Sequence, residues 1–310
     1  FVNEVWQVYV LIFMLQSASA AFTPTFQATI PDILPEEERY TRALSLSRLA
    51  YDLENIVSPT LAAILLAFVG YQTLFFGTVV GFVASAFLVI SVVLPSPKSA
   101  IPRGIYDRTT RGMRIYLATP RLRGLLFLNM AAAAAGAMVL VNTVVLVRSE
   151  LGLGEAQVAI ALGAFGAGSM LAALILPRLL DNMPDRPVMI AGASCLVVVL
   201  FALTLWMTML GPQWTVIIAG WVVIGIGYST VLTPSGRLLK RSALPEDRPA
   251  VYAAQFALSH ACWLITYPLS GWLITVAGPA VAFLSLAVLA GAGLAGGILI
   301  WPHQDSEAVT

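Results

Sequence analysis

Charged residues are scarce in this sequence. Asp, Glu, Lys and Arg make up 11% of its 310 residues, whereas soluble domains carry roughly 25%. Hydrophobic residues account for 59% of the chain. A composition this poor in charge excludes a water-soluble globule of this size. We also expect no nucleic-acid partner.

Cysteine and histidine are also scarce, with two residues of each type. Cys195 and Cys262 fall inside apolar runs, which favours packing residues over a disulfide or a metal pair. The chain has no His-Glu-x-x-His, no Gly-x-Ser-x-Gly and no phosphate-binding loop with a basic residue. We therefore expect no metal, no cofactor, no catalytic residues and no enzymatic activity. An intramembrane enzyme and a channel are kept as alternative functions.

Apolar stretches of membrane-spanning length are abundant. About 20 residues cross a roughly 30 Å hydrocarbon core as a helix, and only helices satisfy their own backbone in lipid at these lengths. The predicted class is therefore an all-α polytopic membrane protein. Nine spans are predicted, at about 5–30, 46–69, 73–94, 124–147, 157–180, 188–209, 214–234, 251–277 and 280–301.

The basic residues gather in the loops on one side of these spans. Sixteen of the 17 Lys and Arg lie in odd-numbered loops, and only Arg148 lies in an even-numbered one. Cytoplasmic loops collect positive charge, so the C-terminus is predicted to be cytoplasmic and the N-terminus of this sequence external. We expect a multi-pass protein of a cell membrane, such as a bacterial inner membrane.

An internal repeat relates the two parts of the chain. Thr23-Pro24 and Leu34-Pro35-Glu36 recur as Thr233-Pro234 and Leu244-Pro245-Glu246 at an offset of 210 residues. Span one then corresponds to span seven, and spans four to six lack counterparts. A six plus six architecture with about 90 more residues upstream is expected. The predicted divisions are a first half at 1–95, a cytoplasmic linker at 96–123, a second half at 124–301 and a tail at 302–310.

Two six-helix halves joined by a basic linker resemble the major facilitator superfamily, with this chain as helices four to twelve. The run Phe22-Thr23-Pro24-Thr25-Phe26, with Ser58-Pro59 further on, is similar to the branch that includes enterobactin and macrolide exporters. The resemblance implies a secondary transporter that exports small organic molecules by alternating access. A truncated fragment that transports nothing is the alternative.

The sequence departs from the family pattern in helix four. Drug/proton antiporters carry an arginine three residues before a Gln-Gly pair, and here Phe13 precedes Gln16-Ser17. Proton coupling through that arginine is excluded. The family's signature after helix eight is represented by Asp181 with Arg178 and Arg186, which the resemblance implies form a cytoplasmic gate.

Ionisable groups inside a bilayer are costly and therefore indicate function. Asp52 and Glu54 lie in span two, and His260 lies in span eight, where its counterpart at an offset of 209 residues is Tyr51, next to Asp52. These three residues are the candidates for proton coupling. Arg48, one turn before Asp52, can pair with it, and an interfacial ion pair or a gate is the alternative interpretation.

The resemblance assigns the central cavity to spans one, four and seven, with span eight beside them. A mostly apolar cavity with a few polar groups and aromatics suits amphipathic molecules. The candidate substrate pathway is Gln16, Asn129, Asn142, Tyr228, Gln255 and Trp263. The alternative is that such groups only bond across helices. The expected partners are a small-molecule substrate, protons and the lipid bilayer, and the chain is expected to be a monomer.

Overall fold

The computed structural model describes residues 4–66, 68–91 and 104–303. Helices dominate these ranges, and no strand occurs in them. In chain order the helices are α1 (Val5–Ile33), α2 (Glu37–Leu66), α3 (Tyr71–Ser91), α4 (Ile105–Ala118), α5 (Pro120–Val144), α6 (Glu155–Asn182), α7 (Asp185–Met209), α8 (Trp214–Leu232), α9 (Ser235–Ser242) and α10 (Arg248–Ile300). A π-helical turn, Val145–Glu150, extends α5.

The nine predicted spans fall on these helices, except where residues 67 and 92–94 lie outside the described ranges. Among the described residues, seven helices are long and apolar enough to cross a membrane. The charged helix α2 is not one of the seven, and α10 counts as one although it holds two predicted spans. The all-helical class predicted from composition is confirmed.

Helix α10 contains a break at Gly278. Its 53 residues would reach about 80 Å as a straight helix, far more than one crossing needs. Gly278 has φ 83° and ψ 173°, a region that residues with a Cβ avoid, and Pro279 follows. The break separates a first arm at 248–277 from a second arm at 279–300, which matches the two predicted spans.

Two further helices, α4 and α9, were not predicted. They are 14 and 8 residues long, too short to cross a bilayer. The loops that contain them were interpreted from their charges alone. Helix α4 occupies half of the predicted linker, whose residues 96–103 lie outside the described ranges.

The main hydrophobic core lies among α5 to α10. Glycines bring these helices close together, as small residues do in membrane bundles. A Cβ on Gly168 of α6 would meet the backbone of Val222 on α8, and a Cβ on Gly225 of α8 would meet the carbonyl of Phe165. The described part of this core is therefore a tight bundle.

Helices α1 to α3 pack more loosely. Helix α2 lies against α6, and α1 contacts α10. In α1 only Pro24, Ala28 and Pro31 are buried, all near its C-terminal end. No described side chain of α3 is buried. The contact between the two groups of helices is thus made chiefly by α2 and the end of α1.

Candidate functional site

A buried ion pair lies within α2. Arg48 and Asp52 are four residues apart, so their side chains share one helix face. The Arg48 Nη2 atom lies 2.9 Å from Oδ1 of Asp52, and Nε donates to Oδ2 at 3.2 Å. The side chains are 13% and 3% exposed. This two-point contact is the strong form of a charge-assisted hydrogen bond.

The pair reaches across to the second group of helices. Arg48 Nε also donates to Oγ of Ser169, at the middle of α6, over 3.1 Å. The guanidinium carbon lies 4.9 Å from the ring centroid of Tyr228 on α8 and 5.4 Å from that of Tyr51. A cation over aromatic faces gains from their negative quadrupole. Arg48 therefore joins α2, α6 and α8 at one point.

Aromatic rings continue from this point toward α10. Phe165 meets Tyr228 edge to face at 5.4 Å, Tyr228 meets Trp263 at 6.0 Å, and Trp263 meets Tyr267 at 5.0 Å between ring centroids. We call these four rings the aromatic cluster. Gly136 of α5 faces Trp263 and Tyr228 so closely that a Cβ would lie about 3 Å from their rings. Four helices, α5, α6, α8 and α10, therefore enclose the cluster.

Several buried polar groups lie on the helices around the cluster. Asn129 is 3% exposed, and neither atom of its amide has a hydrogen-bond partner. It lies seven residues before Gly136, on the same face of α5. Asn142 instead donates to Oγ of Ser270 at 2.8 Å. Buried polar groups are normally paired. Oδ1 of Asn142 also has no partner, but Asn129 has none on either atom and is the more open of the two amides to a ligand.

A cluster of charges closes the end of the bundle where α9 lies, which we call the basic end. Arg237 of α9 is buried and lies 2.8 Å from Glu37 Oε1 and 3.1 Å from Asp185 Oδ1. Arg241 pairs with the same two acids. Arg237 also donates to Thr41 Oγ1 at 3.1 Å. The start of α2 is thereby held against α7 and α9.

Further contacts join the α1–α2 turn to the same end. Arg248 donates to Asp32 at 2.5 Å, and Lys240 donates to the carbonyl of Pro35 at 2.7 Å. The hydroxyls of Tyr40 and Tyr252 lie 2.7 Å apart. Burial raises the pKa of Tyr40 to about 12, so this hydroxyl remains protonated at neutral pH. We call these contacts, together with the Glu37, Asp185, Arg237 and Arg241 cluster, the basic-end latch.

Helix α4 is fastened to the first arm of α10. Arg111 donates from two nitrogens to the two carboxylate oxygens of Asp247, at 2.5 and 2.8 Å. Tyr116 is fully buried and donates to Gln255. Gln255, which was predicted to line the substrate pathway, therefore accepts a hydrogen bond from α4, the helix in the predicted linker.

Other predicted site residues lie outside these contacts. Gln16 and Glu54 are exposed. His260 is exposed, hydrogen bonds to the carbonyl of Phe256 in its own helix at 2.7 Å, and stacks on that ring. The structure gives no contact between Asp52 and either Glu54 or His260, so a coupling role for the latter two stays a prediction.

The three residues of the predicted gate do not contact one another. Arg178 and Asp181 are exposed, although Asp181 lines a cavity of about 760 Å³ beside Arg237. Arg186 donates to the carbonyls of Ile298 and Trp301 at the end of α10. The acids that meet the arginines of α9 are Glu37, the first residue of α2, and Asp185, the first residue of α7. From the sequence this role was assigned to Asp181, and Asp185, which lies four residues later, was not considered.

Comparison with known proteins supplies one further finding. The family model described as Major Facilitator Superfamily matches residues 1–138 and 125–308. These matches cover nearly the whole chain. A comparison with curated proteins found no match.

Proposed function

The chain belongs to the major facilitator superfamily and is a membrane transporter, and from this premise we propose that it carries small organic molecules by alternating access. In this mechanism two helix groups rock around a central site. The observation that carries the proposal is the Arg48–Asp52 pair. It lies beside the aromatic cluster, where the two helix groups meet.

The position of this pair argues for function over stability. Ionisable groups inside a membrane are expensive and tend to mark substrate or ion pathways. Arg48 contacts Asp52 on its own helix but Ser169 and Tyr228 on the other group. A rocking motion that separates α2 from α6 and α8 breaks the second set of contacts and leaves the first intact. The pair therefore moves as a unit with α2.

The surroundings of the pair favour an amphipathic substrate. Trp263 and Tyr267 are partly exposed, and the unpaired amide of Asn129 can donate and accept a hydrogen bond. Pockets of this kind, mostly apolar with a few polar groups, suit organic molecules of moderate size. Gln16, on α1, is proposed to line the same pathway.

The basic-end latch defines the conformation that we assign to the structure, closed at that end. Its contacts join α1 and α2 to α7, α9 and α10. Opening the basic end requires all of them to separate. We propose these residues as the gate, with Asp181 in the adjoining cavity, and we propose that the basic end faces the cytoplasm because basic loops are retained there.

The resemblance to the exporter branch suggests the direction of transport and a role for Asp52. Export is proposed as the direction, with Asp52 as the residue that binds a proton during transport.

Transport in cells tests the proposal. The gene, read from its own start codon, is expressed and accumulation of a fluorescent amphiphile is measured with and without an uncoupler. Expression should lower accumulation, and Trp263→Ala should abolish the effect. Trp272→Ala is the matched control, since Trp272 lies on the same helix but is 61% exposed. Unchanged accumulation would favour a fragment that transports nothing, and equal effects of the two variants would contradict the site.

A further inference from the structure

The charges around the aromatic cluster limit what the site can bind. Among the described ion pairs, Arg48–Asp52 is the one that lies at the middle of the helices, and the others lie near helix ends. Arginine keeps its charge in proteins at all ordinary pH values. Asp52 is therefore the member of the pair that can change its charge.

Four states of the site, one empty and three filled, differ in their net charge. The empty site is neutral while Asp52 is ionised. An added cation leaves one positive charge in excess, and an added anion leaves one negative charge. An anion that arrives with a proton on Asp52 gives a neutral site again. Because uncompensated charge inside a membrane is costly, the anion with a proton is the favoured charged cargo.

The geometry of the pair also allows an anion to replace the Asp52 carboxylate at Arg48. Asp52 holds Arg48 through Nε and Nη2, so protonation of Asp52 weakens both contacts and frees the guanidinium for another acceptor. Ser169 and the rings of Tyr228 and Tyr51 keep the guanidinium beside the aromatic cluster. The released cation therefore stays within reach of a ligand that stacks on these rings.

No second acid competes for this proton in the described surroundings of Asp52. Its own helix supplies Arg48 and Tyr51, α6 supplies Ser169, and α8 supplies Tyr228. Glu54 is exposed, and the arginines of α9 contact Glu37 and Asp185 at the basic end. No described histidine contacts the pair.

We propose that this site takes aromatic organic anions, each together with one proton that binds to Asp52. The inference rests on the proposed function and names the substrate class of that site. The proton comes from water on the side to which the cavity is open and adds to a carboxylate oxygen. The anion then takes the place of that carboxylate at Arg48, and its ring packs against Trp263 and Tyr267.

Three probes with the same ring and different charge test the proposal: naphthalene-2-carboxylate, 2-naphthol and 2-naphthylmethylammonium. Binding to the purified protein in nanodiscs is measured by calorimetry between pH 6 and pH 8, in two buffers that differ in ionisation enthalpy. The carboxylate should bind most tightly, with uptake of one proton. Its affinity should rise about tenfold for each unit by which the pH falls.

Variants of Arg48 and Asp52 test the role of each charge separately. Asp52→Asn should bind the carboxylate without proton uptake and without the pH dependence. Arg48→Gln should weaken carboxylate binding by at least about tenfold while 2-naphthol binding stays close to that of the wild type. The double variant Arg48→Gln with Asp52→Asn carries no buried charge and should show the same loss, which covers misfolding of the single variant. Arg42→Gln, on the same helix but exposed, should behave as the wild type.

Tighter binding of the ammonium probe, or carboxylate binding without proton uptake, would overturn the anion assignment. If 2-naphthol is bound and transported in that case, the proposed transporter function still stands. If none of the three probes is bound or transported, the proposed function and the anion assignment both fail.

Discussion

Replacing Asp185 by asparagine should open the basic end of the bundle. Asp185 is 1% exposed and pairs with Arg237 at 3.1 Å and with Arg241 at 2.9 Å. Asparagine keeps the shape of the side chain but removes its charge, which leaves two arginines to share Glu37. The latch loses its most deeply buried acid.

The structure sets the size of this effect. Breaking a buried ion pair by removing one partner costs about 3–5 kcal/mol. Glu37 is 42% exposed and still pairs with both arginines, so part of the interaction remains and we expect about 1–3 kcal/mol. Because about 1.4 kcal/mol changes an equilibrium tenfold, the population open at the basic end should rise about tenfold or more.

A cysteine at Ser45 reports this opening. Ser45 is 5% exposed, lies one turn beyond Thr41 in α2, and its hydroxyl has no hydrogen-bond partner. Ser45→Cys therefore disturbs little. In a background with Cys195→Ala and Cys262→Ala, the rate of labelling by a water-soluble maleimide is measured in detergent, where both ends are accessible.

Asp185→Asn should label about tenfold faster than its parent. Glu38→Gln serves as the control, because Glu38 pairs only with Arg42 in the described structure and both are exposed. Exposed pairs contribute about 0–1 kcal/mol. A labelling rate equal to that of the parent, or an equal increase in Glu38→Gln, would refute the role given to the latch.

Two further predictions concern glycines. Gly168→Ala should lower the Tm in detergent, because its Cβ would collide with the backbone of Val222 and overpacking costs about 1–3 kcal/mol. Gly163→Ala is the control and should leave the Tm unchanged, because a Cβ at Gly163 meets open space. An equal loss of Tm in both variants would contradict the packing of α6 on α8. Gly278→Ala should destabilise the protein by about 1–3 kcal/mol, because φ at this residue is 83°. Gly291→Ala is the control, because a Cβ at Gly291 makes only an ordinary contact at 3.9 Å. A Gly278→Ala variant as stable as the wild type would contradict the break in α10.

The spans were predictable because their hydropathy is strong and because Lys and Arg alternate between loops. The two short helices were not, since their formation depends on packing against α10 and α2 and not on a long apolar run. Helix α9, for example, buries Arg237, which a sequence pattern assigns to solvent. Hydropathy finds segments that prefer lipid, but it does not find segments that are stabilised by ion pairs.

The site was predictable in part for a similar reason. Arg48 and Asp52 share a helix face by spacing alone, and their contact follows from it. Ser169 was not foreseen, because a helix rich in small residues offers many candidates and only the orientation of α6 against α2 selects one. The contact of Tyr228 with Arg48 joins residues 180 positions apart, which no local spacing predicts.

The repeat gives a physical account of why acids lie where they do at the basic end. Glu37 and Asp247 are separated by the repeat offset of 210 residues. Glu37 is the first residue of α2, and Asp247 is the N-cap of α10, where a negative charge is stabilised by the helix dipole. Each acid pairs with arginine from another part of the chain, Glu37 with α9 and Asp247 with α4. The repeat therefore accounts for the turn and its acid in both copies. The arginines that pair with the two acids, in contrast, come from different helices, α9 and α4. Because one copy holds α2 against α9 and the other holds the linker helix against α10, the two equivalent turns stabilise different contacts of the same closed end.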